Sequence, residues 1–155
     1  MTDDMKARLI GTWRLVSAVR EEVVTGKTTD VFGAGATGYI TYAADDRMMV
    51  LITGAGRKPA KSDTEHSRLQ QTMLAYAGGY VLEPDLPLKT ASPSVVHHID
   101  VAWSPALVGQ AQRRFVTFVG DRLILKGAEG PSAVDGVVAR ATITWERVGT
   151  WERAV

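Results

Sequence analysis

Apolar and polar residues alternate over short segments that glycine, proline or acidic turns interrupt, and this alternation most limits what the chain can fold into. From Thr12 onward, Trp13, Leu15, Ser17 and Val19 share one face while Arg14, Val16, Ala18 and Arg20 share the other, which predicts a strand over 12–24. The same reading predicts strands over 38–43, 48–53, 80–83, 95–103, 112–119, 123–126 and 137–148, with 38–53 forming a hairpin around Ala44-Asp-Asp-Arg47. Val, Ile and Thr make up 39 of the 155 residues, the stock that pleated surfaces favour.

Two helices interrupt the pattern. Thr2 is a candidate N-cap, Asp3 and Asp4 suit a first turn, and Gly11 is a stop, which predicts a short N-terminal helix. Ser62-Asp-Thr-Glu65 is a capping box. Leu69, Met73 and Tyr76 or Ala77 follow at helical spacing and Gly78-Gly79 ends the run, so a helix inserted over 62–77 is expected. Thr25 to Asp30 forms a turn-rich link, and Pro84, Pro87 and Pro93 mark an irregular connection. No repeat or linker divides the chain. Residues 1–155 therefore read as one all-β domain, a mostly antiparallel β-barrel or sandwich.

Composition removes several function classes. With no cysteine, thiolate metal sites, disulfides and cysteine nucleophiles are excluded. Eighteen Lys and Arg against 17 Asp and Glu leave a net charge of +1, which supports neither a nucleic-acid nor a membrane partner. The acidic N-terminus has no apolar stretch of signal-peptide type, so a cytoplasmic location is expected. Gly33-Ala-Gly35-Ala-Thr-Gly38 matches the dinucleotide-binding spacing, but the strand formers Tyr39 to Tyr42 follow it rather than a helix. It reads as a loop before the hairpin, and no cofactor is expected.

His97-His98 and Arg113-Arg114 are the chemically suggestive pairs. Neighbours on a strand point to opposite faces, so the two histidines cannot chelate one ion, and no metal site is expected. Val95, His97, Ile99, Val101 and Trp103 form an apolar face, which puts His97 inside and His98 outside. One strand later, Phe115 is taken as the inner residue beside Leu123 and Leu125; Arg113 shares its parity and is expected inside, with Arg114 in solvent. An inward guanidinium needs a carboxylate, carbonyls or a polar ligand. Tyr42, Met48, Val50, Ile52, Tyr80 and Leu82 complete the wall by alternation, with Met73 and Tyr76 offered by the helix. Trp13 at the start of the first strand and Arg147 on the last suggest a structural cation–π closure.

Read in order, Leu9-Ile-Gly-Thr-Trp-Arg-Leu-Val, Gly38-Tyr-Ile-Thr-Tyr, Ala75-Tyr-Ala-Gly-Gly-Tyr, Val95-Val-His-His-Ile-Asp, Arg113-Arg-Phe, Gly120-Asp-Arg-Leu and Ile143-Thr-Trp-Glu-Arg-Val resemble the bacterial and fungal lipocalin-like domain family, from Leu9 to Val148. The pairing of Trp13 with Arg147 is similar to that of the wider lipocalin superfamily. The resemblance implies a single antiparallel barrel of about eight to ten strands enclosing a small-molecule cavity. Some similar barrels in natural-product pathways act as cyclases or isomerases on polyketide-like substrates. Gly79 stands where the family pattern has a larger polar residue, which suggests a wider mouth or a looser helix exit.

Two functions follow as expectations. In the first, the barrel carries or senses a small, largely apolar molecule held by Tyr42, Met48, Val50, Met73, Tyr76, Tyr80, His97, Ile99, Trp103, Arg113 and Phe115. In the second, a cofactor-independent cyclase or isomerase uses His97 as acid or base, Arg113 as the anchor for a developing anion, and Tyr80 or Tyr76 as proton donor. Catalysis is left open. The Val134 to Val138 region could support a homodimer.

Overall fold

Burial alternates along most strands of the computed structural model, which describes residues 2–83, 93–131 and 136–154. The described elements run α1 (Thr2–Leu9), β1 (Gly11–Glu22), β2 (Thr28–Asp30), β3 (Thr37–Tyr42), β4 (Arg47–Thr53), α2 (Asp63–Gln71), β5 (Met73–Glu83), β6 (Ser94–Ala102), β7 (Ala111–Val119), β8 (Arg122–Lys126), β9 (Gly130–Pro131) and β10 (Val138–Arg147). A single 3₁₀ turn, Pro105–Leu107, links β6 to β7. Neighbouring strands are antiparallel in the order β2-β1-β3-β4-β5-β6-β7-β8-β10-β9, and β1 also pairs with β10. That last pairing closes an eight-strand barrel, with β2 and β9 as short additions. Val134, in the region considered for a dimer contact, lies outside the described residues.

Closure runs the length of β1 and β10 and is reinforced at one end. The β1–β10 register runs from Trp13 opposite Arg147 to Glu22 opposite Ala139, with one irregularity between Leu15 and Ser17. The guanidinium of Arg147 sits 4.1 Å over the Trp13 ring. It also donates to the carbonyls of Ile10 and Arg8, while the Trp13 indole donates to Leu9 O at 2.9 Å. These bonds satisfy carbonyls at and just beyond the end of α1 that have no partner within the helix. The helix thus plugs the barrel base with the fully buried Leu9. Gly11 has φ +134, and a Cβ there would meet Arg147 Nη1 at 2.6 Å, so glycine is required where the chain turns beneath that side chain.

The inserted helix is shorter than the capping pattern suggests. Ser62 Oγ accepts from Glu65 N at 3.2 Å and the Glu65 carboxylate accepts from Lys61 N, so the start is as read. The end is at Gln71, because Met73 to Gly79 pair with Thr53 to Arg47 and continue as β5. Long-range pairing overrides the helical spacing. No residue of α2 is buried, so it crosses the surface without contributing to the core. Gly79 accordingly lies within a strand opposite Arg47 and His98, not at a helix exit.

A second irregularity sits in β6, where Gly78 pairs with Ile99 but Ala77 pairs with Val101, leaving Asp100 as an extra residue. A side chain at Gly78 would overlap the carbonyl of His98. Gly78→Ala should therefore destabilise the barrel by about 2–3 kcal/mol, the range of a forced clash with backbone. Urea unfolding checks this against Gly79→Ala, whose Cβ would meet nothing nearer than 3.6 Å and should cost far less.

Candidate functional site

His97 is the centre of the polar interior. It is 1% exposed, and both ring nitrogens are engaged: Tyr42 Oη lies 2.7 Å from Nε2 and Tyr76 Oη 2.7 Å from Nδ1. The three side chains come from β3, β5 and β6, all on the inner parity. Burial pushes the imidazole down to about 3, and the charge of Arg114 and then of His98 act in the same direction. The ring is neutral at physiological pH. A neutral imidazole has one N–H and one acceptor nitrogen, so one tyrosine donates its proton to His97 while the other accepts from it. The accepting phenol keeps an O–H hydrogen with no further partner among the described residues. Burial raises both phenols, Tyr42 strongly, so neither ionises at neutral pH.

The arginine beside this network is Arg114, not Arg113. In the β6–β7 register His97 is opposite Gln112 and Val95 is opposite Arg114, and facing residues share a side of the sheet. Gln112, Arg114, Val116 and Phe118 thus point inward. Arg113 lies on the outer parity, where it pairs with Glu83 and donates to Ser94 Oγ at 3.0 Å. Phe115, opposite Ser94 and Lys126, is outward as well. Taking Phe115 as the inner residue inverted the strand. Val116 and Phe118 together carry the stronger signal for the opposite parity.

Three other expected wall residues also face out. The extra residue Asp100 reverses the alternation, so Val101 is 64% exposed and Trp103 continues its parity. Trp103 donates its indole N–H to Gln70 O at 3.2 Å and lines a groove on the outer sheet face with Tyr39, Met49 and Leu51. Met73 occupies the outer parity of β5, since Tyr76, Gly78 and Tyr80 are the buried ones. Tyr42, Met48, Val50, Tyr76, Tyr80, His97 and Ile99 are buried in the core cluster or beside it. Tyr80 Oη, however, donates to Ala43 O at 2.7 Å in the β3–β4 turn, so its proton is committed there.

Next to Gln112 and Arg114 a pocket of about 450 Å³ opens between β1, β7, β9 and β10. Arg20, Ala139 and Ala141 line it on the closing strands, with Val31 and Gly127 at its edges. Unbroken alternation in β1 would put Arg20 on the face opposite Trp13 and Leu15. The irregularity between Leu15 and Ser17 reverses that strand, so that Arg20 shares the inner parity of Ala18 and stands opposite Ala141.

A family model described as a lipocalin-like domain matches residues 10–148. The chain belongs to the lipocalin-like domain family. A small-molecule-binding barrel is consistent with that membership, which specifies no ligand. No curated protein matches this lipocalin-like chain.

A neutral His97 makes stability depend on pH. Between pH 6.5, its ordinary value, and about 3, the unfolded chain binds a proton at His97 that the folded barrel refuses. Its contribution is complete above 6.5, falls by about 1.4 kcal/mol per pH unit below it and levels off near 3. Urea unfolding from pH 7 to 4 should give a steeper loss for the native protein than for His97→Gln. Parallel slopes would refute a neutral buried ring.

Proposed function

We propose that this lipocalin-like protein binds a small, largely apolar molecule at the mouth of its barrel and acts as a carrier or sensor. The observation that carries this reading is the opening of the 450 Å³ pocket beside Gln112, the cross-strand partner of His97. Apolar residues such as Val31, Ala139 and Ala141 offer contact area, and a few donors fix orientation, the usual composition of a ligand site.

Carrying is favoured over the expected cyclase chemistry because the three groups proposed for catalysis do not converge. Arg113 is on the outer parity and paired with Glu83, the Tyr80 proton is committed to a turn, and both nitrogens of His97 are occupied. An imidazole at about 3 is also a weak base at neutral pH. One observation favours a second reading, a proton-shuttling isomerase. In a Tyr–His–Tyr chain one phenol can give its O–H proton to a substrate as it takes the imidazole proton, while the imidazole takes the proton of the other phenol and that phenol takes one from the substrate, so the imidazole is never charged.

Native mass spectrometry of the purified protein tests both. A retained molecule recovered unchanged after incubation is expected for the carrier; its conversion to an isomer would favour the enzyme. Ala141→Trp, which fills the mouth, should weaken retention at least about tenfold while leaving the circular dichroism unchanged. Undiminished retention would move the site elsewhere.

A further inference from the structure

We infer that the molecule bound at the barrel mouth is an organic anion, carrying a carboxylate on an apolar body, and that Arg114 is its anchor. This rests on the small-molecule reading and narrows it to a chemical class.

Charge around the pocket is one-sided. Among the described residues Arg20, Arg113, Arg114 and Arg140 line it, and no Asp or Glu does. Three of the four have a carboxylate nearby: Glu22 is 3.6 Å from Arg20, Glu129 is 3.4 Å from Arg140, and Glu83 pairs with Arg113. Arg114 differs. Among the described residues its guanidinium has no carboxylate partner, and its bond is from Nη1 to the carbonyl of Arg113 at 3.0 Å. A guanidinium offers five N–H donors in a planar fork that matches a carboxylate, and a half-buried one is held at a cost until that fork is filled.

The network behind it leans the same way. The charge of Arg114 reaches all three members, opposing the upward push of burial on Tyr42 and Tyr76 and adding to the downward push on His97. His97 has no free acceptor, and the spare hydrogen of the Tyr–His–Tyr chain is a donor. The mouth therefore presents a cation with unused donors, and a ligand oxygen bearing negative charge complements it. The pocket volume accommodates a two-ring or ten-carbon body, with Val31, Ala139 and Ala141 as apolar wall.

Isothermal titration with naphthoate and its neutral amide, equal in shape and differing in charge, tests the inference. Naphthoate should bind the native protein roughly ten- to a hundredfold more tightly than the amide, as a charge-assisted fork does. Arg114→Gln should bring that ratio close to one, whereas Arg47→Gln, at an exposed site on β4, should preserve it. Should Arg114→Gln fail to fold, added salt gives the same answer on the native protein, weakening naphthoate binding more than amide binding. Equal affinity for the two probes would overturn the anion inference and leave the small-molecule reading standing. Binding of neither would overturn both.

Discussion

An imidazole enclosed by two phenols, with both nitrogens bonded, organises the interior of this barrel. Tyr42, Tyr76 and His97 come from three strands, and their bonds join those strands across the inside rather than along the sheet. The arrangement works only while the ring is neutral, because a charged imidazole at 1% exposure would lack an anionic partner. Removing one phenol would leave a buried nitrogen without its bond, at a cost of about 1–3 kcal/mol. The polar groups are tolerated in the core because nearly all of their hydrogen-bonding capacity is used internally.

The two ends of the barrel put their cations to different uses. At the base, Arg147 and Trp13 are spent on structure, closing β1 against β10 and capping α1. Lys6 adds an ion pair to Asp46 there. At the mouth, arginines from β1, β7 and β10 gather around an open pocket, and Arg114 keeps most of its donors unused among the described residues. Among the described residues the base is capped by α1 and the mouth carries arginines around an open pocket.

Much of this was legible in the sequence. Alternation located the strands, put His97 inside, and found Tyr42, Met48, Val50 and Ile99 on the same wall, because side chains in an unbroken strand keep a period of two. It failed where that period is interrupted or its origin is ambiguous. Asp100 shifts the register of β6 and turns Trp103 outward, while a similar irregularity in β1 turns Arg20 inward. Gly78, which lies opposite the β6 irregularity and leaves room for it, was the visible hint, but it reads equally well as a helix stop. Residues 73 to 77 fit helical spacing locally, and only pairing with β4, a long-range event, makes them a strand. On β7 no irregularity intervenes. Phe115 and the pair Val116 and Phe118 point to opposite parities, and the strand follows the pair, which makes Arg114 rather than Arg113 the inner arginine.

The protonation state of His97 tests the account most directly, because the hydrogen-bonded core of the barrel depends on it. The imidazole nitrogen shifts, followed by NMR on the native protein as pH is lowered, should keep the neutral-ring pattern with one N–H through the ordinary histidine value of 6.5 and down to the onset of acid unfolding. A ring that gains its second proton near 6.5 while the barrel stays folded would contradict it.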